Sequence, residues 1–313
     1  MPVQKATDPQ FKDLLAFEQR LRTGAPRRDR LPNTENVELS GLLQRIARRR
    51  QARSGVAAPV LVPRAAASQS TPGALGRDGA APGSVLSITH PAAEVCVLQV
   101  ARPAGFEFLP GQHVKLGLPS GPKNPYTIAS APSDPYLEFC IERVPSGRLS
   151  PSLFALQVGA RLALGGKASG DFVLAPQVDL HIMLATVTGI SPFRSMLRQA
   201  AAQRTWPGRF IVLHGASFAD ELVYAQELQS LAEQFPQQLR YMPSVSRPAD
   251  PRNRDFTGVR GRVADLAPTL VSELQARQPG RIQVYACGHP EMVAAAQQTI
   301  GALGLPVLSE IFD

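Results

Sequence analysis

With 313 residues, 44% of them hydrophobic and 6% aromatic, the chain has material for two domains, each with its own core. No stretch approaches the roughly 18 apolar residues that a membrane span requires, and the opening MPVQKATDPQFKD has no apolar block of the kind a secretory signal needs. The formal charge of +8 is lopsided: residues 1–80 hold 14 Lys/Arg against 7 Asp/Glu, and the rest hold 19 against 18, so the basic character belongs to the N-terminal part.

Residues 1–83 read as an extension. Residues 9–22 place Phe11, Leu14, Leu15 and Leu21 near one helical face, and residues 40–53 (SGLLQRIARRRQAR) form a second candidate helix. There Ser40 suits the N-cap and the late arginines suit the helix dipole. From residue 54 to the low 80s the chain is rich in Ala, Pro, Gly and Ser, the composition of a flexible linker. The basic helix reads as a solvated surface helix or disorder, or as a contact for an acidic protein, nucleic acid or anionic membrane. Seven acidic residues argue against a mitochondrial presequence.

Residues 84–176 change character. Short β-type runs (SVLSIT, EVCVLQVA, HVKLGL, PYTIAS, LEFCIERV, ARLALG) alternate with turn pairs at Pro110-Gly111, Ser120-Gly121 and Ser146-Gly147. Six strands in about 90 residues predict an antiparallel barrel. Residues 177–313 alternate strand and helix. The strands are VDLHIMLAT, RFIVLHGAS, LRYMPSVS, RIQVYACG and LPVLSEIF, and helical stretches such as 192–203, 220–234 and 290–303 separate several of them. That alternation predicts a parallel sheet covered by helices on both faces, with function in the turns after Ala185, Leu213, Val245 and Ala286.

Three motifs stand in order along this body: NPYTIASAP at 124–132, ATVTGISPFRSM at 185–196 and VYACGHPEM at 284–292. The first offers an aromatic ring and a hydroxyl on a strand. The second is a glycine-containing turn that opens a helix, where backbone N–H groups favour an anion and Pro192 suits the first turn. The third puts a thiol at a strand end. Cys96, Cys140 and Cys287 lie far apart, so neither an iron–sulfur cluster, a structural zinc nor a disulfide framework is expected, which fits a reducing cytoplasm.

As an ordered set the motifs resemble the ferredoxin–NADP reductase superfamily over about residues 84–313. The resemblance implies an FAD-binding barrel at 84–176, an NAD(P)-binding α/β domain at 177–313, no metal site, and electron transfer between NADPH and a separate carrier such as ferredoxin or flavodoxin. The flavin would be held by Asn124, Tyr126, Thr127, Gly147, Arg148, Leu149, Ser150 and Phe312. Asn124 stands where the family has arginine, so Arg148 is the candidate replacement cation. Thr188, Gly189, Ile190, Cys287 and Gly288 would meet the nicotinamide nucleotide. Ser246, Arg247 and Arg254 would read a 2′-phosphate, which favours NADP(H), with NAD(H) left open by Asp250 and Asp255. Val187 replaces a family glycine, and a β-branched residue there resists positive φ. Thr127, Cys287 and Glu310 would form the catalytic group, with Glu310 relaying a proton. The redox partner is expected to be a protein, with the basic tail facing an acidic surface and nucleic acid not expected. Two other readings stay open: the reductase component of a multicomponent oxygenase or a free-flavin or quinone reductase, and a degenerate module that binds a nucleotide without turnover.

Overall fold

A computed structural model describes residues 83–277 and 280–312, with Gln19 alone ahead of them. Apart from Gln19, the helix expected at 9–22 lies outside the described residues, as do the one at 40–53 and the linker after it up to residue 82.

The first part contains β1 (Val85–Ala92), β2 (Val95–Ala101), β3 (His113–Gly117), β4 (Lys123–Thr127), β5 (Tyr136–Glu142), a short helix α1 (Ser150–Phe154) and β6 (Ala163–Leu164). All pairings are antiparallel, in two three-stranded sheets ordered β1-β2-β5 and β4-β3-β6. Alternate residues of β2, β3 and β5, namely Leu98, Val100, Val114, Leu116, Phe139 and Ile141, pack with Leu153 of α1 into one core. The sheets meet through the Ser84–Arg161 bridge and the bond from Val85 N–H to the Ala160 carbonyl. The expected barrel is therefore present as two linked sheets. Pro125, which carries no N–H, sits in β4, and β4 is an edge strand with one neighbour.

The second part runs β7 (Leu180–Thr186), a 3₁₀ turn (Val187–Ile190), α2 (Ser191–Gln203), β8 (Arg209–Ala216), a 3₁₀ turn (Ala219–Glu221), α3 (Ala225–Gln234), β9 (Leu239–Val245), a 3₁₀ turn (Pro251–Asn253), β10 (Val259–Arg260), α4 (Val263–Arg277), β11 (Ile282–Gly288), α5 (Pro290–Ala302) and β12 (Val307–Ile311). Its six strands are all parallel, in the order β10-β9-β8-β7-β11-β12. The central strand β7 is buried on both faces. Ile182 and Leu184 join a core under α4 and α5, while Met183 and Ala185 join another under α2. Helix α4 and strand β10 were not among the sequence expectations. Pro268 lies inside α4, where it removes one helical donor and breaks the pattern by which such a helix is read. No helix among the described residues is long and apolar enough to cross a membrane.

Candidate functional site at the strand ends

The sheet order fixes where a ligand crevice must lie. From β7 the chain builds outward through β8, β9 and β10, then crosses back to place β11 on the other side of β7. The connections leaving β7 and β11 therefore part in opposite directions, and they open a crevice outside the carboxyl ends of those strands. The two turns there, Val187–Ile190 and Gly288–Pro290, come from two of the three sequence motifs. Glycine holds them together. A Cβ on Gly189 would stand 2.2 Å from the Cys287 carbonyl oxygen, and one on Gly288, at φ +127°, would stand 2.2 Å from Thr186 Oγ1. That hydroxyl instead accepts the His289 backbone N–H at 2.8 Å.

The strand of the first motif, β4, brings the barrel in. The expected trio converges. Thr127 Oγ1 donates to Glu310 Oε2 at 3.1 Å, and Glu310 stands directly beside Cys287 in the parallel β11–β12 register. Burial pushes the Glu310 carboxyl above its usual range, opposed by the Thr127 hydrogen bond and by His113. Burial, then the Glu310 charge, holds the Cys287 thiol well above its usual value, so it stays a thiol and not a thiolate nucleophile. His113 is an addition that the sequence reading missed. It pairs with Thr127 across β3 and β4, its Nδ1 lies 3.4 Å from Glu310 Oε1, and its Nε2 lies 3.2 Å from Ser169 Oγ. The only signal along the chain was its place at the head of the strand run HVKLGL. The result is a chain of polar groups, Ser169–His113–Glu310–Thr127, that leads from an exposed serine contact to a mostly buried carboxyl.

The other expected flavin residues divide. Tyr126 faces the Val114 side of β4, half-buried against the barrel core, and desolvation, then the nearby Cys96, pushes its phenol up to about 12. Thr127 faces the opposite side, toward His113. Asn124 is exposed, and Lys123 lies inside the strand, on the pleat face away from Asn124. Gly147 sits in a tight turn where a Cβ would meet the Val144 carbonyl at 3.0 Å. Arg148 beside it is exposed. Ser150 is the first residue of α1, and its hydroxyl accepts the Val144 N–H at 2.9 Å. Leu149 is buried in the barrel core, so only its backbone can face a ligand. Phe312 is half-buried against the cluster that contains Cys287, with its N–H bonded to the Gly288 carbonyl.

On the nucleotide side, Thr188, Gly189 and Ile190 are all buried in the turn. Val187 adopts φ +45°, the left-handed region that a β-branched residue resists. Its carbonyl is held by His214 Nε2 at 3.0 Å. Burial pushes His214 down to about 4, so the ring is neutral; Nε2 then carries the proton, and Nδ1 accepts from Tyr241 Oη at 3.0 Å. Glu142, at the end of β5, was also missed. It is exposed but faces Thr188, and partial desolvation, then the Glu221 charge, raises its carboxyl.

At the ends of β8 and β9, Ser246 is half-buried, and Arg247 and Arg254 are exposed. The Arg247 guanidinium lies 5.2 Å from the Phe218 ring centroid, and Arg252 lies 3.6 Å from it.

The barrel and α2 are locked by a buried ionic cluster that sequence alone did not reveal. Arg194 Nη1 lies 2.7 Å from Glu138, its Nε donates to Glu227 at 2.7 Å, and Nη1 also donates to the Ala129 carbonyl. Its guanidinium covers the Tyr224 ring at 4.0 Å. Arg198 pairs with Asp134 at 2.8 Å and with Glu227, and Ser195 donates to the Ser130 carbonyl. The partners lie between 29 and 65 residues apart, beyond the reach of any local pattern.

Known proteins share this arrangement. The family model of the oxidoreductase NAD-binding domain matches residues 183–298. The chain is 31% identical to ferredoxin–NADP reductase A of Sorangium cellulosum, over 71% of this chain and 82% of that protein. It is 31% identical to the flavodoxin/ferredoxin–NADP reductase of Escherichia coli, over 61% of this chain and 77% of that one. Among solved structures it resembles a ferredoxin–NADP+ reductase from Neisseria gonorrhoeae with bound FAD and NADP, with a TM-score of 0.63 and 25% identity over 73% of this chain and 96% of that one. A barrel joined to a parallel sheet, three motifs meeting at one crevice and a match along most of a reductase place the chain in the ferredoxin–NADP reductase family, to which it belongs.

Proposed function

We propose that the protein is an FAD-dependent NAD(P)H oxidoreductase that exchanges electrons with a separate redox protein. The observation that carries this reading is the meeting of Thr127, Glu310 and Cys287 at the carboxyl ends of β11 and β12, with barrel and sheet each supplying part of the group.

The residues present suit both cofactors. Tyr126 offers a half-buried ring for an isoalloxazine or its side chain, Thr127 a hydroxyl, and Arg148 a cation for phosphate in place of the missing arginine at 124. Phe312 and the glycine turns around Gly189 and Gly288 suit a flat aromatic partner. Arg247, with Ser246 and Arg254, suits a 2′-phosphate, which favours NADPH. When bound, FAD supplies hydride acceptance from the nicotinamide and one-electron release to the partner. The chain's own contribution is positioning, exclusion of water and a proton reservoir. Glu310, raised by burial, keeps its proton to higher pH than an ordinary glutamate, and Thr127 and His113 connect it to both sides. Cys287 contributes a neutral, close-packed wall.

We further propose that the basic N-terminal segment adds an electrostatic contact to an acidic carrier such as ferredoxin or flavodoxin. Substituting Arg48, Arg49 and Arg50 by Glu tests this: carrier reduction should weaken, most at low salt, while reduction of a small dye is spared. An unchanged carrier rate removes the tail from the account. The main reading is tested by identifying the cofactor extracted from purified protein and comparing acceptors. FAD together with rapid ferredoxin or flavodoxin reduction supports it. Preference for free flavin or a quinone shifts the assignment to that class of reductase, and a colourless protein that takes up no FAD makes it a binding module.

A further inference from the structure

The loops that leave β8 and β9 are riveted together by one side chain. Asn253 is buried; its Nδ2 donates to the carbonyls of Ser217 (3.0 Å) and Arg247 (2.8 Å), and its Oδ1 accepts from Ala219 N–H at 2.8 Å. This fixes the backbone on either side of Arg252. The Arg252 N–H is capped by Asp250 Oδ1 at 2.9 Å, and its guanidinium lies 3.6 Å from the Phe218 ring centroid. Nη2 of the same group reaches both carboxylate oxygens of Asp220, at 2.9 and 2.7 Å. Arg252 and Asp220 are 46% and 51% exposed, and Arg247 approaches the same phenyl ring. Two cations thus gather round one aromatic side chain at the end of the crevice where an adenosine would lie, and one of them is occupied by a carboxylate.

We infer that Arg252 is a further 2′-phosphate ligand that Asp220 holds closed, so that Asp220 sets how strongly the site prefers a 2′-phosphorylated nucleotide. The inference rests on the NAD(P)H reading above and deepens it. A phosphomonoester carries up to two charges at neutral pH and offers the same acceptor geometry to a guanidinium as a carboxylate does. To use Arg252, the phosphate must displace Asp220 or lie beside it, and both are opposed by the Asp220 charge. A ribose with a free 2′-hydroxyl meets no such opposition, and a carboxylate can accept its hydrogen bond. An exposed ion pair holds its partner weakly and exchanges it readily, so the latch is reversible. Asp250 and Glu221 add to the negative field around Arg252; Glu221 is itself engaged by the N–H groups of Ser217 and Phe218. Asp220 is the one that touches the guanidinium.

Calorimetric binding of 2′,5′-ADP and 5′-AMP tests this, because the two differ only in the 2′-phosphate. Asp220→Asn should tighten 2′,5′-ADP about five- to tenfold while leaving 5′-AMP within about twofold. Arg252→Gln should weaken 2′,5′-ADP, and it should abolish the gain when combined with Asp220→Asn. The inference is overturned if Asp220→Asn leaves 2′,5′-ADP binding unchanged, or if its gain persists without Arg252. Failure of the underlying reading looks different: the native protein then binds neither nucleotide, and the inference falls with it.

Discussion

At the scale of single residues, the carboxyl of Glu310 is the group the geometry singles out. It is the only side chain of the expected trio bonded to the barrel, through Thr127, while lying in the sheet register of Cys287. Glu310→Ala should slow NADPH-driven flavin reduction by about 10- to 100-fold with flavin still bound, since a positioned proton donor contributes at least that much. Glu310→Gln should retain the flavin and part of the rate but lose its pH dependence. An unchanged rate in stopped-flow measurements would make Glu310 a bystander. Thr127 and Cys287 were legible in the sequence because each sits inside a motif, and Glu310 was named through the family resemblance alone. His113 was not, because nothing along the chain says that a histidine at 113 faces a glutamate at 310. Only the pairing of β3 with β4 and the docking of β12 bring them together. Val187 was legible as a departure, and the structure adds its cause of survival: His214 grips its carbonyl while the side chain packs beside Val223 and Leu222.

At the scale of elements, the ends of β5 and β7 bring Glu142 against the nucleotide turn, an acid where a pyrophosphate is expected. Because partial desolvation raises its pKa, lowering the pH neutralises it sooner than an ordinary glutamate, so its repulsion of an anion fades as pH falls. Glu142→Gln should therefore lower the NADPH Michaelis constant about threefold at about pH 8 and less at about pH 4.5. An identical effect at both pH values would show that the charge is not the cause. Helix α2 belongs at this scale too. Its Arg194 is 5% exposed and ion-paired with a Glu138 that is 2% exposed, so Arg194→Ala leaves a buried carboxylate without its counter-ion, with Gln99 still bonded to it. Denaturant unfolding should then show a loss of about 3–5 kcal/mol; a loss below about 1 kcal/mol would mean that the cluster relaxes into water. The sequence marked α2 plainly, through the TGISP turn and its period. It could not mark what α2 binds, because Glu138 and Asp134 belong to the barrel. Helix α4 shows the opposite failure: a local proline hides an element that tertiary packing of Leu266, Leu270 and Leu274 stabilises.

At the scale of the whole molecule, two buried histidines tie stability to pH. His214 falls from about 6.5 in an unfolded chain to about 4 in the fold, and burial lowers His181 as well. Between those values the unfolded chain binds the proton and the folded one does not. Stability therefore falls as pH drops from about 6.5 toward about 4, by up to about 3 kcal/mol for His214 alone. Urea midpoints of the native protein should fall more steeply across this window than those of His214→Gln; parallel curves would contradict the assignment. The alternation of short strands, then of strands with helices, made the order of the two parts readable, because periodicity is a local property. The way the parts dock was not, since it depends on polar contacts across more than 60 residues. The central claim is that the crevice between them holds a flavin within reach of a nicotinamide. The most direct test is anaerobic titration of the purified protein with NADPH, followed in the flavin absorption bands. The account predicts a yellow protein that bleaches with one equivalent of NADPH per flavin and recovers its colour on adding oxidised ferredoxin or flavodoxin. A bound flavin that neither NADPH nor NADH reduces would contradict it.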